Sequence, residues 1–161
     1  MIDIVVDEDV DMRRMPDMAR TAVAVRVTLA LAAGFDGKPD LCIRFAGDDA
    51  MRRLNRDWRG KDAVTDVLSF PMQEGDIDPA AYLGDIALAV PFVEGEAARL
   101  AWPAADHALH LIVHGVLHLL GLDHQDDAEA VRMQALERQA MDRLGLHDPY
   151  PEPREERTHV G

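Results

Sequence analysis

The run His114-Gly-Val-Leu-His118-Leu-Leu-Gly121-Leu-Asp-His124 constrains this chain more than any other stretch. It closes a segment, 104–120, that is apolar nearly all round, with Leu109, Leu111, Ile112, Val113, Val116, Leu117, Leu119 and Leu120 leaving no solvent face. A helix of that composition belongs in the middle of a fold. Histidines on it are costly unless satisfied, and metal ligation satisfies them. His114 and His118 are four residues apart, so a helix puts both rings on one face, about 5–6 Å apart at Cβ. Gly121 can take a positive φ and end the helix, and His124 then supplies a third nitrogen. Three neutral imidazoles form an open metal site, zinc first among the candidates, with one position left for water. Water held that way becomes a nucleophile near neutral pH, so the pattern points to a hydrolase.

The ligand spacing, with glycine at the eighth position, equals that of the metzincin proteases. Those enzymes carry a glutamate base directly after the first histidine; here that position is Gly115. Peptide hydrolysis by their route is therefore not expected. Two plainer readings compete. The histidines could be separate polar residues satisfied by backbone or water. Alternatively, a purely structural zinc would require a fourth ligand, from Cys42, Asp123 or Asp126. Imidazole also suits nickel, copper or iron. His107 and His110 read as structural or as neighbours of the site, and His147 and His159 as solvated residues in or near the tail.

The 161 residues fit one domain with a sizeable core. No apolar run approaches the roughly 20 residues of a membrane span. The opening MIDIVVDEDVDM lacks the basic and apolar regions of a secretory signal. One cysteine, Cys42, excludes an internal disulfide, which suits a reducing cytoplasm. Cys42 lies in an apolar run and reads as a small core residue. The net charge of −13 argues against a protein held on nucleic acid by its overall field, though not against a local basic groove.

Hydrophobic periodicity and breaker residues give strands at 2–6, 41–45, 66–70 and 84–90. Helices are expected at 12–33, from 48 or 49 to 58, 91–100, from 103 or 104 to 120, and 128–144. Met51, Leu54 and Trp58 fall on one side of the second helix; Val131, Ala135, Met141 and Leu144 are candidate core contacts of the last. Residues 72–82 read as an acidic surface loop. The expected fold is a single α+β domain over 1–146, a four-stranded mixed sheet packed against about five helices with the histidine helix central. Residues 147–161, rich in proline and charge, read as a disordered tail.

The densest basic stretch is Met51-Arg-Arg-Leu-Asn-Arg-Asp-Trp-Arg59-Gly-Lys61. Arg52, Arg56 and Arg59 share a helical face. It is either an ordinary solvated face or, in a chain this acidic, the place where an anion docks, arginine suiting phosphate through paired hydrogen bonds.

Leu54-Asn55, Arg59, Thr65-Asp-Val-Leu-Ser-Phe-Pro71, Gly84-Asp-Ile86 and the histidine run, in this order and spacing, resemble the YbeY family of bacterial endoribonucleases across roughly residues 50–144. Met133 and Glu137 also resemble that pattern, whereas Leu122 departs from a position that is often aromatic. The resemblance implies a zinc-dependent, single-strand-specific endoribonuclease that matures ribosomal RNA, notably the 3′ end of 16S rRNA, and serves ribosome quality control. It implies His114, His118 and His124 as metal ligands, Arg59 as the functional arginine, and a ribosomal protein or GTPase as partner. Arg52, Arg56 and Arg59 would contact RNA, with Arg59 and His114 in the chemistry. The attacking oxygen is either a metal-activated water or the RNA 2′-hydroxyl. Thr65, Asp66, Ser69 and Asp85 are candidates for a direct role or for ordinary local capping. The competing functions are a metal-dependent hydrolase of another substrate and a non-catalytic, zinc-stabilised ribosome-assembly factor.

Overall fold

The computed structural model describes residues 1–123 and 125–151. It contains β1 (Ile2–Val6), α1 (Met18–Ala33), β2 (Leu41–Ala46), α2 (Asp48–Arg59), β3 (Val67–Pro71), β4 (Gly84–Ala89), α3 (Val90–Leu100), α4 (Ala104–Leu119) and α5 (Asp127–Arg143). The strands form one sheet in the order β1-β2-β4-β3. β1, β2 and β4 run parallel, and β3 pairs antiparallel with β4 at an edge. The described residues thus form the expected α+β fold, with a mixed four-stranded sheet and five helices.

Alternation along the strands divides the core. Leu41, Ile43 and Phe45 of β2, with Ile86 and Leu88 of β4, point to one face and are fully buried with α1 and α4. The other face is only partly covered. There Ala46, Ala87 and Ala89 leave room for α2, whose Met51 packs on them and on Leu68. Cys42 lies half-buried on this second face rather than in the core, and burial pushes its thiol pKa up.

α1 starts six residues later than periodicity suggests. Asp17, directly after Pro16, accepts from the Arg20 N–H at 2.8 Å and caps the helix. Trp58 does not join Met51 in the core; it is 72% exposed. On α5 the buried stripe is Met133, Glu137, Ala140 and Met141, while Val131 is 68% exposed. One carboxylate thus takes a core position, for a reason the site supplies.

α4 is buried along almost its whole length. It crosses the sheet at Gly115, where a Cβ would come within 3.0 Å of the Ile86 branches. Close approach of helix to strand thus explains the glycine that follows His114. Gly121 (φ 93) ends the helix. Its N–H donates to the His118 carbonyl at 2.9 Å, and the Leu122 N–H donates to the Leu117 carbonyl at 3.1 Å. This pair of bonds turns the chain sharply after the histidines.

Candidate metal centre and groove

His114 and His118 stand one turn apart at the end of α4, and their Nε2 atoms are 3.0 Å apart with ring planes at 76°. A zinc–nitrogen bond is roughly 2.0–2.1 Å long, so two nitrogens this close can share one ion. Among the described residues no group of three His, Cys, Asp or Glu side chains forms a metal cluster. His124, the expected third ligand, lies outside the described residues.

The buried carboxylate of α5 explains how His114 is held. Glu137 Oε2 lies 3.2 Å from His114 Nδ1, and Oε1 meets His110 Nε2 at 2.5 Å and accepts from the Tyr150 hydroxyl at 2.8 Å. Burial alone would raise the Glu137 pKa. The hydrogen bonds from His110 and His114 outweigh it and bring the group down to about 2. An ionised carboxylate only accepts, so His114 must donate from Nδ1, leaving its Nε2 lone pair aimed towards His118. A ligating histidine held in this tautomer by a carboxylate is the usual support of a metal site. The donor set therefore fits zinc.

Residues 147–151, the start of the segment read as a tail, lie against this support. The His147 ring stacks on Trp102 at 4.1 Å, and the Arg138 guanidinium donates to the Tyr150 carbonyl at 2.7 Å. Residues 152–161, including His159, lie outside the described residues.

A groove of about 350 Å³ opens over the two histidines. β3 forms one wall through Ser69 and Pro71, continued by Thr65 and Asp66 just before it; Arg59 ends α2, Lys61 follows that end, and Asp123 comes from the turn after α4. Asn55 builds the α2 end: it is 5% exposed, and its amide donates to the Ala63 carbonyl at 2.9 Å. Among the described residues Arg59 has no ion-pair partner, whereas Arg52 is held by Asp62 at 2.7 Å and Arg56 by Asp57 at 3.1 Å. The groove lining includes Arg59 but neither Arg52 nor Arg56.

Asp66 is engaged locally, where its Oδ1 accepts from the Val67 N–H at 2.7 Å. It also faces Glu96, which burial and the Asp66 charge push up to about 7. Glu96 in turn meets His107 Nε2 at 3.0 Å. Asp85 is not with the histidines; it lies on the other face of the sheet and accepts from the Tyr82 hydroxyl. Glu137 stands out in the sequence only through the family resemblance. Its role is signalled by one oddity, a carboxylate in the apolar register of an amphipathic helix.

The family described as Endoribonuclease YbeY matches residues 6–145. The chain is 44% identical to the endoribonuclease YbeY of Chromohalobacter salexigens, covering 86% of this chain and 89% of the relative. It is 43% identical to that of Rhizorhabdus wittichii, covering 93% and 97%. In fold it is similar to the solution structure of a Thermotoga maritima protein, with a TM-score of 0.56 at 21% identity over 94% of this chain and all of that one. No helix among the described residues is long and apolar enough to cross a membrane.

Proposed function

The chain belongs to the YbeY endoribonuclease family, and from that premise we propose that it is a zinc-dependent endoribonuclease that cuts single-stranded RNA. Its substrate is ribosomal RNA, with maturation of the 16S 3′ end and ribosome quality control in the cytoplasm as its roles, and a ribosomal protein or GTPase delivers it there. One observation carries the reading: two imidazole nitrogens 3.0 Å apart at the floor of a groove that also holds Arg59.

His114, His118 and His124 would hold the ion. When bound, zinc supplies Lewis acidity and an activated water for phosphodiester cleavage. The chain does the rest. Arg59, with no carboxylate to neutralise it among the described residues, docks the scissile phosphate and balances charge as it builds there. Lys61 extends that cationic rim. Glu137 fixes the His114 tautomer, and β3 walls the groove beside the two histidines.

The test is elemental analysis paired with cleavage of a defined single-stranded RNA, with and without chelator. His114→Ala should lose both metal and cutting. Arg59→Glu should keep the metal and lose cutting. Full cutting after complete metal removal would overturn the reading, and normal RNA processing by a zinc-loaded Arg59→Glu protein would favour a non-catalytic assembly factor. End-group analysis of the products separates water from the 2′-hydroxyl as the attacking oxygen.

A further inference from the structure

The histidine groove does not stop at β3. Arg59, Ser69 and Pro71 line it and also line a second, larger hollow of about 790 Å³ on the other face of the sheet. Trp58 stands beside that hollow with 72% of its surface in water, edge-on to Phe70 at 6.1 Å between ring centroids. Met72, 65% exposed, adds a polarisable side chain nearby. Arg44 also lines it, held by both oxygens of Asp7 at 3.0 and 2.9 Å. That pairing neutralises most of its charge and fixes its guanidinium as a flat plate.

We propose that this hollow is a base-stacking subsite for single-stranded RNA. It rests on the ribonuclease reading of the neighbouring groove. Nucleotides flanking the cut bond pass Arg59, cross the β3 edge and lay their bases on Trp58, Phe70 and the Arg44 plane. Aromatic faces serve single strands of any sequence because every base has a π-face, and guanidinium planes stack bases too. The charges order the strand: Arg59 and Lys61 hold phosphates at the rim, while the Asp85 carboxylate, paired across the strands with Phe70, repels them and turns bases inward. The shared residues at Arg59, Ser69 and Pro71 are the reason to assign RNA here rather than a protein partner, since a strand lying over the histidines must leave the groove somewhere.

The test measures binding of a fluorescein-labelled octauridylate to the zinc-loaded protein by anisotropy, read within seconds of mixing. Trp58 is exposed, so its replacement should leave folding intact, which circular dichroism checks. Trp58→Ala should weaken binding about tenfold, the loss of one base stack. Trp58→Phe should restore most of it. A 5-iodouridine probe should crosslink to Trp58 or Phe70. If Trp58→Ala binds octauridylate as wild type does, while wild type still cuts RNA, the subsite is wrong and the ribonuclease reading stands; the hollow would then belong to a protein partner. If the zinc-loaded wild type neither binds nor cuts RNA, the ribonuclease reading fails and the subsite falls with it.

Discussion

Glu137 Oε2 lies 3.2 Å from His114 Nδ1, so a carboxylate 1% exposed on α5 sets the orientation of a candidate metal ligand on α4. Three donors converge on that carboxylate: the two histidine rings and the Tyr150 hydroxyl. An amide has one acceptor oxygen and would turn an N–H₂ group against at least one of them. Glu137→Gln should therefore lower zinc affinity about 10- to 100-fold while the fold persists. Chelator competition measures the affinity, and equal affinities would show that Glu137 does not orient His114.

That link was the least legible part of the site. Glu137 and His114 are 23 residues apart, and a glutamate on an amphipathic helix reads as solvent-facing unless something polar waits inside. The histidine helix was legible because its signals are local: continuous apolar residues, a four-residue histidine spacing and a glycine that takes φ 93. The arginines show the limit of periodicity. Spacing puts Arg52, Arg56 and Arg59 on one side of α2, but Asp62, beyond the helix, takes Arg52. Trp58 fails differently, since helical spacing names a face but not what covers it. The start of α1 turned on one hydrogen bond, from Arg20 to Asp17.

Gly115 is where α4 packs tightly on Ile86 of β4. A Cβ there would come 3.0 Å from both the Cδ1 and Cγ2 atoms of Ile86, which is fully buried. Gly115→Ala should destabilise by about 1–3 kcal/mol through overpacking, less the roughly 1 kcal/mol that alanine gains in a helix. Ile86→Val removes Cδ1, so the double variant should be more stable than the two single effects add up to. Urea denaturation of the four proteins measures this, and strict additivity would mean that the helix shifts freely.

Tyr150 ties the segment after α5 to the site. Tyr150→Phe removes the hydroxyl that donates to Glu137 at 2.8 Å. A hydrogen bond to a charged group contributes about 1.5–3 kcal/mol, reduced here because the ring is only part-buried. A loss of about 1 kcal/mol should lower Tm by roughly 2–4 °C. An unchanged Tm in thermal unfolding would show that the Tyr150–Glu137 hydrogen bond adds nothing to stability.

Glu96 and His107 give a pH signature outside the groove. Burial first, then the Asp66 charge, pushes Glu96 from its ordinary 4.5 up to about 7, with Arg99 opposing. A carboxyl with a raised folded pKa contributes stability that is complete below 4.5 and lost as pH rises through about 7. His107, at 3.0 Å, is pushed down from 6.5 to about 4 by burial and then by the charge of His110. Its contribution is complete above 6.5 and lost as pH falls through about 4. The two slopes oppose each other in the range they share, and above it only the Glu96 loss remains. Glu96→Gln cannot ionise, so its Tm relative to wild type should rise from about pH 4.5 to about pH 7 and level off above that. Scanning fluorimetry across that range is the check, and a constant difference would mean that Glu96 titrates as an ordinary surface carboxyl.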